Sequence, residues 1–255
     1  MDSTHDIEEP ASSDATHGTG LARRGSSSHV IARMAETTML APTQFEHRRL
    51  IHRHESMRPL SDAFREIRTR LLDLANGHNF VTLLVAVSPH SGSSFVARNL
   101  AAAFAFDVAK TSLLIDCNLR YPAQHKALGV EATSGGLIEF LDSPGRGIHS
   151  MIYPTGIPRL RLIPAGTARE NGGEYYSSAP MRAAMNSLRS RYSDRYIFLD
   201  GPAIGGSPDA RILSDLADFV VIVAGYGRDT PKTISQAAAN FASGKVAGVV
   251  FNHAP

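Results

Sequence analysis

The chain has 255 residues, room for one large α/β domain with a tail, since a domain commonly takes about 100 to 200 residues. Its 26 Lys and Arg against 24 Asp and Glu leave a formal charge of +2, too even a balance for a polycation that binds nucleic acid or an anionic bilayer by charge alone. The single cysteine, Cys117, excludes an intrachain disulfide or a multi-thiolate metal site and points to a reducing, cytoplasmic setting.

Residues 1–54 are rich in Ser, Thr, Gly, His and Arg and hold no sustained hydrophobic period. Such a segment buries too little apolar area to offset its ordering entropy, which predicts a mobile or disordered arm. Its apolar patch, 34–42, reads either as linker or as a docking motif. The first ten residues carry Asp2, Asp6, Glu8 and Glu9 where a secretory signal needs positive charge and then an apolar run. The longest apolar stretch, 95–109, is broken by Arg98, Asn99 and Asp107, so no membrane span is expected.

The domain is placed at 55–255. Ser61 is expected to cap a helix whose Phe64, Ile67, Leu71, Leu72 and Leu74 recur at helical spacing, with Arg65, Arg68 and Arg70 turned elsewhere. The β-branched run 80–87 predicts a strand covered on both faces. A helix over 92–109 follows, then strands over 112–115 and 159–164. A helix at 180–192, a strand at 196–200, a helix at 208–217, a strand at 219–224, a helix at 231–242 and a strand at 246–252 complete the pattern. Repeated βα units imply a doubly wound, mostly parallel sheet in a three-layer sandwich.

Ligands of such sheets bind beyond the carboxyl ends of the strands, and three strand ends here carry polar groups. The first is Ser88-Pro89-His90-Ser91-Gly92-Ser93-Ser94, a tight loop before a helix whose backbone N–H groups can cradle a phosphate. Against the pattern G-x-x-x-x-G-K-[ST], Gly92 and Ser94 match the glycine and the magnesium-binding hydroxyl, His90 takes the place of the middle glycine, and Ser93 stands where the lysine belongs. Read by itself, the loop fits an ordinary Ser-rich turn as well. The second is Leu113-Leu114-Ile115-Asp116-Cys117-Asn118, whose paired oxygens suit Mg²⁺ or equally a capped turn. The third, Tyr196-Ile197-Phe198-Leu199-Asp200, looks like a Walker B strand.

Together these stretches resemble the bacterial tyrosine kinase (BY-kinase) family of capsule and exopolysaccharide biosynthesis, from about Ser61 to Asn252. The most specific match runs from Leu113 through Asp116, Asn118, Arg120 and Pro122 to His125, close to the family's L-L-I-D-x-D-L-R-x-P-x-x-H. Supporting matches are Gly135-Gly136-Leu137-Ile138-Glu139-Phe140-Leu141, Leu162-Ile163-Pro164-Ala165-Gly166, Ser177-Ser178 with Met181, Ser207-Pro208-Asp209-Ala210, and Gly248-Val249-Val250-Phe251-Asn252. Asp62, Arg65 and Arg68 are similar to the family's E-x-x-R-x-x-R subunit-contact motif, with Asp for Glu.

The resemblance implies a P-loop NTPase-like, ParA/MinD-related fold. It implies a nucleotide cradle of His90, Ser91, Gly92, Ser93, Ser94 and Phe95 with Asn252 at the adenine, and Mg²⁺ on Ser94, Asp116 and Asp200. Asp116 and Asp200 would be the catalytic acids of an active member. A homo-oligomer would form through Asp62, Arg65 and Arg68, and the partner would be the cytoplasmic tail of a membrane polysaccharide co-polymerase, which would bring the chain to the inner face of the membrane. Nucleic acid is not an expected ligand.

Departures weigh on activity. Ser93 replaces the lysine, Asn118 replaces the second acid, Gly201-Pro202-Ala203 stands for Thr-Pro-Pro, and nothing after Tyr226 is tyrosine where the family's substrate cluster lies. None of Lys110, Lys126, Lys232 and Lys245 falls in a phosphate loop. The expectation is a regulatory or scaffold partner with impaired or absent phosphoryl transfer and weak ATP and Mg²⁺ binding. The alternative is a working kinase or ATPase, with Tyr175-Tyr176 as acceptor or as an ordinary surface pair. A ParA/MinD-type positioning ATPase would rely on phosphate-loop lysines that this sequence lacks. Cys117 is expected as a buried small hydrophobe, His125 as a residue that orders its loop, and Arg120 as a phosphate contact or an ion-paired arginine.

Overall fold

Runs of leucine, isoleucine and valine make strands that are covered on both sides. The structure, a computed structural model, describes residues 39–52, 57–192, 194–206 and 208–253. Its strands are β1 (Val81–Ala86), β2 (Thr111–Asp116), β3 (Tyr153–Pro154), β4 (Leu160–Ile163), β5 (Arg195–Asp200), β6 (Phe219–Gly225) and β7 (Val246–Asn252). They form one sheet in the order β3-β4-β2-β5-β1-β6-β7, with every pairing parallel except β3 against β4. β1, β2 and β5 are buried along their whole length.

Because side chains alternate along a strand, each central strand feeds two cores. Leu84, Leu114, Phe198 and Val221 face one layer, made by α2 (Arg58–Leu74) and α3 (Ser93–Ala105). Leu83, Leu113, Ile115, Ile197 and Leu199 face the other, built on α5 (Leu137–Asp142), α6 (Gly172–Tyr176), α7 (Ala179–Arg191), α8 (Asp209–Ser214) and α9 (Pro231–Ala238). The two remaining helices are α1 (Pro42–His47) and α4 (Gln124–Leu128). Among the described residues no helix is long and apolar enough to cross a membrane.

Three expectations are corrected. Most of the arm, 1–54, lies outside the described residues, but 39–52 is docked on the domain rather than free: Leu50 and Ile51 are fully buried. Asn99 of α3 accepts from the Ile51 amide at 2.7 Å and donates to the Arg49 carbonyl at 3.0 Å. The long helix begins at Arg58, with Pro59 in its first turn, so Ser61 is not its cap; the Ser61 hydroxyl donates to the His52 carbonyl at 3.2 Å. Pro at a helix start costs nothing, since its missing N–H has no partner there anyway. The helix after the phosphate-type loop stops at Ala105 instead of 109, because Asp107 accepts from the Ala109 amide at 2.9 Å and ends the run in a turn.

Candidate functional site

Parallel pairing sends β1, β2 and β5 out at one edge of the sheet and sets Asp116 beside Asp200 in register. The loop after β1 comes to the same edge. Two of its residues have left-handed backbone, His90 (φ 66) and Gly92 (φ 89), a conformation that costs an L side chain about 1 to 2 kcal/mol. A Cβ on Gly92 would lie 2.0 Å from the Asn252 amide nitrogen, so glycine is required there twice over.

The turn after β6 buckles this loop in place. Asp229 accepts from the hydroxyls of Ser88 at 2.6 Å and Ser91 at 2.9 Å and from the Gly225 amide at 2.7 Å. Burial opposes its charge, but those donors outweigh burial and hold its carboxyl below the usual range. Arg228 donates to the carbonyls of His90 at 3.2 Å and Pro89 at 3.1 Å, and Asn252 to that of Ser91 at 3.0 Å.

Behind the loop, Ser94 donates to Asp200 at 3.1 Å. Gln124 donates through its side-chain nitrogen to Asp200 at 2.6 Å and to the Ser94 carbonyl at 2.9 Å. Asp116 accepts from the amides of Asn118 at 3.2 Å, Ala123 at 3.0 Å and Gln124 at 3.0 Å, which fixes the start of α4. Both carboxyls titrate high. Burial pushes Asp116 up, the charge of Asp200 adds to it, and the backbone amides oppose it; burial likewise raises Asp200 against its bonds from Gln124 and Ser94.

A cleft of about 590 Å³ opens beside these groups, with Pro89, His90, Gly92, Ser93, Ser94, Asn118 and Tyr121 among its walls. Ser94, Asp116 and Asp200 are hard oxygen donors of the kind Mg²⁺ takes, and a divalent cation would discharge two neighbouring buried acids. A phosphate-bearing group suits the glycine-turned loop at a helix start. The residues present therefore fit Mg²⁺ and an anion, with no ammonium at position 93.

Eight of the site residues named from sequence meet at this edge: His90, Ser91, Gly92, Ser93, Ser94, Asp116, Asp200 and Asn252. Phe95 does not join them; its ring packs 6.2 Å from that of Phe64, and Arg98 lies 5.2 Å over it. Asn252 touches the loop at Ser91. On α2, Asp62 and Arg65 pair with each other at 2.7 Å in the open, whereas Arg68 turns inward to Asp107 at 2.8 Å. Cys117 is buried, and its thiol is pushed up by that burial. The Tyr176 hydroxyl donates to the Cys117 carbonyl, while Tyr175 donates to Asp142 at 3.1 Å. Sequence reasoning missed Gln124, Arg228 and Asp229. Gln124 sits at a variable position of its motif, and the turn after β6 has no pattern that announces a clasp.

A mostly parallel, helix-flanked sheet with a phosphate-type loop after its central strand and acids at two adjacent strand ends defines a P-loop NTPase-like domain. No family model matches the chain. It is 33% identical over 194 residues, 75% of its length, to tyrosine-protein kinase wzc of Salmonella typhimurium, and spans 26% of that protein. It is 28% identical over 189 residues, 70% of its length, to the succinoglycan biosynthesis transport protein ExoP of Rhizobium meliloti, and spans 23% of it. Superposition on the BceF tyrosine kinase domain gives a TM-score of 0.68 at 25% identity, covering 89% of this chain and 98% of that one. The chain belongs to the bacterial tyrosine kinase (BY-kinase) family, and it spans about a quarter of these two curated relatives.

Proposed function

We propose that this chain is a BY-kinase-like domain that keeps the nucleotide cradle but has little or no phosphoryl transfer, and that it regulates a membrane polysaccharide co-polymerase from the cytoplasmic side. One observation carries the reading: Ser93 occupies the lysine position of a loop otherwise shaped for phosphate. Losing one preorganised charge of this kind typically costs about 2.7 to 4 kcal/mol, roughly 10² to 10³ in rate.

The cations nearby have other work. Arg98 donates to the Ser94 carbonyl at 3.1 Å, and burial pulls its pKa down against the attraction of Asp200. Arg120 pairs with Glu170 at 2.9 Å and Arg169 with Asp142 at 3.2 Å. Lys110 precedes β2 and Lys245 precedes β7, at the opposite ends of parallel strands, where Lys245 donates to the Ser214 carbonyl at 2.7 Å. In this reading the amides of residues 91–94 would hold phosphate, and Ser94, Asp116 and Asp200 would hold Mg²⁺, which would supply charge neutralisation at the terminal phosphates. Exposed Asp62 and Arg65 would serve subunit contact, while Arg68 would first have to leave Asp107.

The test is ATP turnover by the purified chain with Mg²⁺. Turnover at background level is expected, and Ser93→Lys is expected to tighten ATP binding by about 1.5 to 3 kcal/mol, the worth of a charge-assisted contact. Magnesium-dependent hydrolysis or tyrosine phosphorylation that Asp116→Ala abolishes would overturn the proposal and favour a working kinase, the reading supported by the retained Ser94, Asp116 and Asp200. Repeating the titration with a co-polymerase tail peptide shows whether the cradle is completed in trans.

A further inference from the structure

The acid pair is sealed. Asp116, Asp200 and Gln124 are each 0% exposed, and the adjacent cleft reaches Ser94, Asn118 and Ala123 while neither carboxylate lines it. One residue bonds to both acids. Gln124 gives its backbone amide to Asp116 and its side-chain nitrogen to Asp200 at 2.6 Å, a short bond for a neutral donor on a carboxylate. The same nitrogen also donates to the Ser94 carbonyl at 2.9 Å. Its side-chain oxygen is buried with no hydrogen-bond partner, a costly state that a residue kept only for packing would not need.

We propose that Gln124 plugs the acid pair: its side-chain amide competes with a divalent cation for Asp200 and keeps the pair closed until it is displaced. Chemistry supports competition rather than coexistence. An amide presents positive hydrogens to the carboxylate, as a cation presents its charge, and Mg²⁺ retains several waters in an octahedral shell that a fully buried site filled by this side chain does not admit. Ser94 is affected as well, since its hydroxyl and its carbonyl are both tied into the closed arrangement. The proposal rests on the nucleotide-cradle reading only in placing a cation at Asp200, so it is tested with metal alone.

The experiment is Mn²⁺ binding to the full chain, followed by the electron paramagnetic resonance signal of free Mn²⁺ in the absence of nucleotide. Gln124→Ala is expected to tighten Mn²⁺ binding at least tenfold over the natural sequence, and adding Asp200→Asn to that variant is expected to remove the gain. Unchanged affinity in a Gln124→Ala protein that melts near the parent temperature overturns the plug. If Gln124→Ala fails to fold, Gln124→Ser decides by the same criterion. A second titration with ATP separates the two claims. A Mn²⁺ gain with no ATP binding even after Ser93→Lys upholds the plug and sinks the cradle, whereas ATP binding by Ser93→Lys without a Mn²⁺ gain in Gln124→Ala sinks the plug alone.

Discussion

Asp116 and Asp200 lie side by side at adjacent strand ends, and both hold their protons more tightly folded than unfolded. Native protein therefore carries more bound protons than unfolded chain between about pH 4 and pH 7, the span from the ordinary value of 3.8 to the raised ones. Stability from this pair is complete below that window and is lost as pH rises through it. Asp200→Asn is expected to flatten the fall in melting temperature over the same range. Asparagine can be accommodated with its side-chain oxygen toward the Gln124 amide and its nitrogen toward Ser94, whose hydroxyl can rotate to accept. A steeper fall in the variant would contradict the assignment. Gly92→Ala tests the loop itself: with φ at 89 and a collision at Asn252, a loss of at least about 1 to 2 kcal/mol is expected in urea denaturation. Asp116 and Asp200 were legible in the sequence because strand ends announce themselves by an apolar run broken by a polar residue, and Ser94 because it holds the hydroxyl position of the phosphate-loop pattern. Gln124 and Asp229 were not, because their roles come from partners on other elements that no local pattern specifies.

Segment 39–52 shows what an element can hide. Its one helix, α1, spans six residues and buries none of them, so the sequence carries no amphipathic period to read. The information lies in Asn99, a fully buried polar residue of α3 that receives the strap through its side-chain oxygen and nitrogen. Arg48 reaches further and donates to the Leu128 carbonyl at the end of α4, where Gly129 leaves room for the guanidinium. The strap thus braces both α3, which begins at the phosphate-type loop, and α4, which holds Asp116. Leu50→Ala is expected to cost about 2 to 5 kcal/mol, as for other buried leucines. Arg48→Ala is expected to speed hydrogen exchange in α4 while leaving α9 unchanged; exchange in α4 as slow as in the natural sequence would show that the brace is idle. The short helices α4, α5 and α6 escaped the sequence reading for a similar reason. Each is about one turn long and depends on tertiary bonds, such as Glu139 accepting from the amide of Thr167 at 2.9 Å and the Leu137 amide donating to the Pro164 carbonyl at 2.8 Å.

For the molecule as a whole, alternation of apolar strands and helices was enough to specify the layered parallel sheet, since covered strands and right-handed crossovers leave few other arrangements. Within the sheet the edge strand escaped: β3 has two residues, one of them proline, and runs antiparallel. Binding in the cleft must appear as global stability, because a ligand that binds only the folded chain at a hundred times its Kd adds about 2.7 kcal/mol. A thermal scan with millimolar ATP and Mg²⁺ is therefore expected to leave the natural sequence nearly unmoved and to raise the melting temperature of Ser93→Lys by several degrees. Equal shifts would show that position 93 does not limit binding.

The contact from Asn252 to Ser91 joins residues 161 positions apart. At a translation speed of about 5 to 20 residues per second, the loop waits on the order of ten to thirty seconds on the ribosome before its last brace exists. During that interval the nascent loop has its glycine but not the amide that closes over it, so its shape is fully braced only once β7 has been made.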